Sequence, residues 1–390
     1  MPAVTDSTSW QPPAGAPLPP PPSPYGSPPP SPGPVGWTPP PKPGLIPLRP
    51  LTLGTLLGAA FQVLRRNPRP TFGFALLVTG AIFLSALVIV GVVSFFAISR
   101  TLNATGADAE ALEAGSFAMI VLSALVPIAL SIVGTAILQG VVSLEVARGT
   151  VGEKLRLGGL WRAARGRIGA LIGWSLLIAL AVLVAVAIVA VLIGVIIAFG
   201  GTVGILAGVL LGIAAFGGAI VLAAWLSTKL CLVPSILMLE RLPLRAALAR
   251  SWSLTRGYFW KTLGIQLLVA VIVQTVASVI STPVSLILGF GSSLLNPNGD
   301  NDGLIVAGVV LYLLTIILSV VFGAIAAVVQ SATPALIYID IRMRKEGLDL
   351  ELSRFVEARQ AGDSTVADPY LVKATAASYP PPTAGASPWA

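Results

Sequence analysis

Histidine is absent from this sequence, and Cys231 is the single cysteine among 390 residues. Histidine is the usual general base, metal ligand and pH-sensitive side chain near neutral pH, so its absence removes the commonest basis for each of these sites. One cysteine cannot form a disulfide framework or a cysteine-based metal site. Walker loops, serine-nucleophile motifs and metal-ligand clusters are also missing. We therefore expect neither a cofactor nor catalytic activity.

Charge is scarce as well. Charged residues make up 10% of the chain and hydrophobic residues 55%, whereas a soluble domain has about 25% charged residues. This composition predicts an integral membrane protein. The net charge of +8 would suggest nucleic acid as a partner of a soluble protein. Here the basic residues flank apolar segments, so anionic lipid is the predicted partner and nucleic acid is not.

The two ends of the chain have low-complexity sequence, and the N-terminal one has almost no aliphatic content. Residues 1–47 are rich in proline, glycine and serine, and residues 361–390 return to low complexity. Such segments bury too little surface to offset their ordering entropy, so both are predicted to be disordered. The N-terminal tail lacks the basic and apolar regions of a signal peptide. We interpret it as a solvated spacer, with a ligand for a proline-recognising protein as the alternative.

Six apolar segments between the tails are each long enough for a transmembrane helix of ~20 residues. They are residues 71–99, 117–146, 169–199, 203–230, 262–291 and 304–333. Only Gly200, Gly201 and Thr202 separate the third segment from the fourth, which predicts an antiparallel hairpin. The predicted fold is therefore an all-α, six-span membrane domain over residues 48–345, followed by a short helix within residues 346–360.

A basic, amphipathic helix is predicted before each odd-numbered span, in residues 51–67, 155–168 and 243–264. In the third, Leu248 and Trp252 share one face, whereas Arg245 and Arg256 lie outside it. Such helices lie along a membrane surface with rings and guanidinium groups among the lipid headgroups. The candidate headgroup contacts are Arg65, Arg66, Arg162, Arg165, Arg245, Arg250, Arg256, Trp161, Trp252 and Trp260.

The even-numbered spans share a second pattern, an acid six residues after a polar or helix-bending residue. The first residues of these pairs are Gln139, Pro234 and Pro334, the acids are Glu145, Glu240 and Asp340, and the arginines that follow are Arg148, Arg241 and Arg342. The acids and arginines either form an interfacial ion-pair ring or headgroup site, or simply stabilise three helix ends. Together the two patterns predict three repeats of a surface helix and a transmembrane hairpin.

Polar residues inside the spans are few. Lys229 either marks a path for a substrate or ion through the spans or extends its ammonium group to the membrane interface, and we favour the second interpretation. Glu240 or a neighbouring helix is the alternative partner of this lysine. Gln139 and Gln330 line a transport path or form hydrogen bonds between helices, and we favour the structural role. Because lysine and arginine concentrate on one side of the six spans, both termini are predicted to be cytoplasmic, with the protein in the cell membrane.

Four stretches make the chain resemble the family known as the membrane domain of glycerophosphoryl diester phosphodiesterase. They are PLRPLTLG at 47–54, RRNP at 65–68, RSWSLTRGYFWKTLGI at 250–265 and TPALIYIDIRMRKEGLDLEL at 333–352. Relatives often carry an acid near the position of Thr55. The phosphodiesterase that gives the family its name holds its chemistry in a separate soluble barrel with histidines and metal-binding carboxylates. The resemblance therefore implies a membrane module and not a hydrolase.

These observations predict a non-catalytic membrane scaffold or lipid-interacting module. A transporter of a small molecule or lipid is the alternative, because internal repeats with proline-interrupted helices recur in transporters. A membrane-embedded lipid enzyme is a third hypothesis, and it would need paired acids at one depth, for which only Glu145, Glu240 and Asp340 qualify.

Overall fold

The computed structural model describes residues 44–102, 109–295, 302–363 and 365–371, and within these ranges the protein is helical and contains no strand. The predicted disordered segments before residue 44 and after residue 371 lie outside the described residues. The helices are α1 (Leu53–Arg66), α2 (Phe74–Ser85), α3 (Gly91–Leu102), α4 (Ala109–Thr150), α5 (Leu157–Leu230), α6 (Val233–Leu239), α7 (Leu244–Thr255), α8 (Phe259–Leu295), α9 (Asp302–Glu346) and α10 (Leu348–Gln360). Short π-helical turns, Arg69–Gly73 and Ala86–Val90, precede α2 and join it to α3.

Five helical runs in the described ranges are long and apolar enough to cross a membrane. They are Arg69–Leu102, Leu112–Thr150, Leu157–Leu239, Phe259–Pro283 and Val309–Glu346. Large apolar side chains along them are exposed, for example Leu183 at 61% and Phe216 at 71%. Exposed apolar surface of this extent fits contact with lipid. The chain is a membrane protein with an all-helical membrane domain.

The third of these runs reverses direction at Gly201. This residue has φ 56° and ψ −141°, the one non-helical conformation inside α5, and such a conformation is open essentially to glycine alone. A Cβ atom placed on Gly212 would lie 3.7 Å from a methyl group of Ile193, although a straight helix would separate these residues by roughly 28 Å. The chain therefore folds back at the predicted hairpin.

Two of the three predicted surface helices are separate elements. Thr52 caps α1, accepting a hydrogen bond from the Thr55 amide at 3.3 Å, and Pro68 follows the helix. After α7 the chain turns at Gly257, which has φ 88°. The prediction of a separate second surface helix is wrong, because α5 begins at Leu157 and continues without a break past residue 168. No proline or left-handed glycine interrupts the chain there.

The buried core lies where the long helices α4 and α9 end together with α6. It is formed mainly by three segments, residues 140–147, 232–240 and 335–343, which we call the plug. Gly140 lets α4 approach α6 closely, since a Cβ atom there would overlap the Met238 side chain. Leu56 and Ala60 of α1 are fully buried against the same core. The elements that meet at the plug also carry most of the basic residues, and we call this part of the bundle the basic end.

The described ends of both tails are folded. Leu45 and Ile46 are 5% and 1% exposed, and the Leu45 amide donates to the Gly149 carbonyl at 2.8 Å. The predicted boundary of the disordered N-terminal segment at residue 47 is therefore wrong for these residues. The predicted short helix is present as α10, with Leu352 and Phe355 buried. Beyond it Tyr370, in the segment predicted to be disordered, is 2% exposed.

Candidate functional site

The three acids that end the even-numbered spans are buried at the plug. Glu145 is 2% exposed, Glu240 4% and Asp340 1%. A buried carboxylate is costly unless cations and hydrogen-bond donors surround it. The partners of each acid therefore show what these residues do.

Glu240 is the centre of a charged cluster that joins α6, α7 and α9. Its carboxylate accepts hydrogen bonds from Arg250 Nε at 3.1 Å and from Tyr338 Oη at 2.8 Å, and it lies 3.8 Å from Arg342 Nη1. Glu346 pairs with both arginines, at 2.7 and 2.9 Å. Burial lowers the pKa of Arg250, but bonds to Glu346 and Glu240 raise it by more, so this guanidinium stays charged.

Asp340 joins the beginning of the membrane domain to its last long helix. Its carboxylate accepts the Leu51 amide at 2.8 Å and Arg344 Nε at 3.0 Å, and it pairs with Lys261. Arg344 also donates to the Leu51 carbonyl at 2.8 Å. Every oxygen of this acid therefore faces a donor, and the group acts as a structural clamp.

Glu145 has fewer partners. Asn67, which follows α1, donates to one carboxylate oxygen at 3.1 Å and to the Leu155 carbonyl at 2.9 Å. The other oxygen has no hydrogen-bond partner in the described part of the chain. Burial lowers the pKa of the neighbouring Arg66 guanidinium, and the charge of Glu145 opposes that effect. Asn67 thus holds the end of α1 against the loop before α5.

Among the described residues, none of the three acids forms an ion pair with the arginine that follows it in the sequence pattern. Arg148 pairs with Asp368 at 2.6 Å and Glu153 at 3.6 Å instead of Glu145. Arg241 forms no ion pair with any described residue, and Arg342 reaches Glu240 rather than Asp340. These pairs cross between repeats because the helix ends pack against neighbours, which a sequence pattern within one repeat cannot show. No group of three metal-ligating side chains was found in the described ranges.

The predicted headgroup contacts fall into two groups. Arg66 and Arg250 are partly buried and bound to protein partners. The others are exposed and, among the described residues, form no ion pair: Arg65, Arg162, Arg165, Arg245 and Arg256. The three tryptophans are exposed too, with Trp161 at 43%, Trp252 at 42% and Trp260 at 80%. The exposed set is free to meet lipid headgroups.

Lys229 lies beside aromatic rings. Its ammonium nitrogen is 5.2 Å from the ring centroid of Trp252 and 5.8 Å from that of Phe259, within the range of a cation–π contact. The structure shows no pairing of Lys229 with Glu240, the partner considered from the sequence. Ser251 of α7 donates to the Lys229 carbonyl at 2.6 Å, so this end of α5 is fixed to the surface helix.

A cavity of about 660 Å³ lies next to the plug and collects polar side chains from several helices. Gln139 of α4, Gln266 of α8 and Gln330 of α9 line it, together with Trp174 and Thr333. Gln139, Pro234 and Pro334, the matching residues of the sequence pattern, all face this cavity. A second cavity of about 370 Å³ lies between α8 and α9 and includes Gln274.

Comparison with known proteins gives one match. Residues 205–346 match the family described as the membrane domain of glycerophosphoryl diester phosphodiesterase. The family resemblance is confirmed over these residues. The matched stretch contains Lys229, Glu240 and Asp340 and all of α8 and α9, and the resemblance before residue 205 stays a prediction. No curated protein and no solved structure matches the chain.

Sequence reasoning missed the partners that organise the basic end. Tyr338, Arg344 and Lys261 stand in apolar or basic runs where nothing marks them as partners of a buried acid. Tyr370 is farther still from its contacts, since it binds Thr150 and the Ala147 carbonyl. The one available signal was the recurring acid itself, because a carboxylate at the end of an apolar span needs a cationic partner.

Proposed function

We propose that this protein is a non-catalytic, six-pass membrane module that binds anionic lipid at its basic end. Five long apolar helices, one of which reverses at Gly201, supply the six passes. The matching positions at the ends of α4, α6 and α9 support three related transmembrane hairpins, of which the first and the third follow a separate surface helix. In this arrangement α1, α7 and the first turns of α5 form the lipid-facing basic surface.

The observation that carries the proposal is the separation of the arginines into paired and free groups. Arg250 and Arg342 serve the buried carboxylates, whereas Arg162, Arg165 and Arg245 are exposed without an acidic partner among the described residues. An exposed arginine beside an exposed tryptophan is suited to the boundary between phosphate and acyl chain. Each such residue contributes ~1 kcal/mol to binding of an anionic surface.

A catalytic role fits two of the three buried acids poorly. Glu240 and Asp340 are each occupied by arginine, lysine or tyrosine donors, so neither is free to accept a proton from a substrate or to bind a metal ion. A transporter is the second candidate, and the 660 Å³ cavity favours it. The plug argues against a transporter, because its three packed segments separate that cavity from the basic end.

The proposal extends to location and partners. The excess of lysine and arginine at one end supports a cytoplasmic position for that end and for both termini, with the protein in the cell membrane, by the positive-inside bias. The proline-rich segment before residue 44 is then available to a cytoplasmic protein partner or serves as a spacer.

Lipid binding by arginine variants tests the proposal. The full chain in mild detergent is mixed with dioleoylphosphatidylglycerol, and bound lipid is counted by native mass spectrometry. We expect the double variant Arg245→Gln/Arg256→Gln to bind this lipid roughly tenfold more weakly at low salt, with less effect at high salt. Its melting temperature should not change, because neither side chain has an ion-pair partner among the described residues.

Arg250→Gln is the matched control on the same helix. This variant should lower the melting temperature, because it leaves the buried carboxylate of Glu240 without one of its cationic partners. Anionic lipid binding per folded molecule should be retained. If the double variant kept wild-type binding to this lipid, the basic surface would not be a lipid site and the proposed function would fail.

A further inference from the structure

The cavity beside the plug contains polar groups that the rest of the protein does not use. Gln139 and Gln330 make no side-chain hydrogen bond with any described residue, although both line the cavity. The Trp174 ring is 6% exposed, and its indole N–H has no partner in the described part of the chain either. Unpaired amide and indole groups are costly inside a membrane domain. Gln330 is exposed, so these groups are open to hydrogen bonds with a molecule that enters the cavity.

The side chains that line the cavity indicate the chemical class of that molecule. Among the described residues around the cavity none carries a charge, and the polar groups are amides, hydroxyls, a thiol and an indole. A charged ligand would lose its hydration without a counter-charge, which is unfavourable. The rest of the lining is apolar, including Ile132, Ile178 and Val269. The chemistry suits an uncharged hydrogen-bonding head attached to an apolar body.

Access is available from the side of the spans and not from the basic end. The residues that follow Gln139, Pro234 and Pro334 on their helices form the plug and are buried. Four residues that line the cavity are exposed along the spans: Thr135, Ile178, Ser227 and Ala270. A ligand that reaches the cavity thus comes through surface that contacts acyl chains. This route suits a molecule with an apolar body better than a free hydrophilic solute.

We propose that this cavity is a binding site for a neutral amphiphile whose hydroxyl or amide head bonds with Gln139, Gln330 and Trp174. The apolar part of the ligand lies along the exposed faces of α4 and α5. This site goes beyond the lipid-binding basic surface, since it selects an uncharged head and lies on the other side of the plug.

The test uses dioleoylglycerol as a neutral probe and dioleoylphosphatidylglycerol as an anionic one, each added to the full chain in mild detergent and counted by native mass spectrometry. The double variant Gln139→Leu/Trp174→Phe should bind dioleoylglycerol at least about fivefold more weakly. Gln274→Leu, which removes the same group from the second cavity, should leave this binding unchanged. Ala270→Phe should reduce it by filling the cavity. Anionic binding should be the same in all of these variants.

Several outcomes would overturn the site. Equal dioleoylglycerol binding by wild type and by the double variant would mean that the cavity holds water only. Equal loss in Gln274→Leu would mean that the probe binds the outer surface of the spans. A lower melting temperature of Gln139→Leu alone would make that amide a structural partner. None of these results changes what is expected of the arginine variants, which are measured with the anionic lipid. The basic surface and the cavity are therefore tested independently.

Discussion

Tyr338 donates a hydrogen bond to Glu240 at 2.8 Å and so links two residues that lie 98 positions apart. The same hydroxyl accepts a hydrogen bond from Arg342 at 2.8 Å. Arg342 in turn donates to the Tyr370 carbonyl at 3.1 Å. One chain of bonds therefore runs from the end of α6 through α9 to the C-terminal segment. A buried network of this kind stabilises only while all of its members are present.

Removal of Glu240 should be strongly destabilising. Glu240→Ala leaves Arg342, whose side chain is 5% exposed, and Arg250 without their central carboxylate. Breaking a buried ion pair on one side costs about 3–5 kcal/mol. We expect a large fall in melting temperature in detergent, measured by tryptophan fluorescence.

Arg241→Gln is the control for that measurement. Arg241 is adjacent, exposed and without an ion pair among the described residues, so the change should stay within about 0.5 kcal/mol of wild type. If Glu240→Ala melted like Arg241→Gln, the cluster would not hold α6, α7 and α9 together.

Two N-terminal truncations should behave differently. Deletion of residues 1–43 should leave the melting temperature unchanged. Deletion through residue 47 should lower it, because Leu45 and Ile46 are buried and the Leu45 amide bonds with Gly149. Each of these side chains contributes about 1.5–3 kcal/mol when buried. Equal melting of the two truncated proteins would show that this contact is dispensable.

The sequence was sufficient for the parts of the fold that local chemistry determines. Apolar length predicted helices long enough to cross a membrane, of which five lie in the described ranges, and the Gly-Gly-Thr connection at residue 200 predicted the reversal. The same reasoning predicted α10 from its apolar spacing. Each of these features depends on residues that are close in sequence, where helix caps, prolines and glycines act directly.

The pairing at the basic end could not be predicted in the same way. Asp340 meets the Leu51 amide across 289 residues, and no local pattern encodes that contact. The prediction of a separate second surface helix was wrong for a different reason. Its sequence pattern matched that of the other two surface helices, but no residue ended the helix after Ile168. The cavity was missed because glutamines on α4, α8 and α9 become neighbours only when three helices pack.

Gly201 provides a test of the reversal in α5. Gly201→Ala should lower the melting temperature, because φ 56° with ψ −141° is strained by about 1–3 kcal/mol for any residue with a Cβ atom. Gly200→Ala is the matched control, since no atom lies within 4 Å of the added Cβ and the backbone there is helical.

A topology reporter inserted at Gly201 tests the same feature in the membrane. It should report the side opposite to reporters at Arg165 and Arg250, and the same side as reporters at Gly106 and Asn298. Agreement of the Gly201 and Arg165 reporters would mean that the segment between them does not cross the membrane, which would contradict the proposed six passes.

The last prediction concerns Tyr370 and high pH. Its hydroxyl lies against Thr150 and donates to the Ala147 carbonyl at 3.1 Å, and burial raises the pKa of the phenol above its usual value of 10.0. The folded protein therefore keeps this proton at a pH where the unfolded chain has released it, so stability that is present below pH 10 is lost as the pH rises further. Tyr370→Phe has no such proton, and near neutral pH it should be less stable by about 1 kcal/mol for each hydrogen bond lost. The difference in melting temperature between wild type and Tyr370→Phe should thus be largest near neutral pH and shrink above pH 10. A difference that stayed constant across this range would mean that Tyr370 is not held in its buried, hydrogen-bonded position.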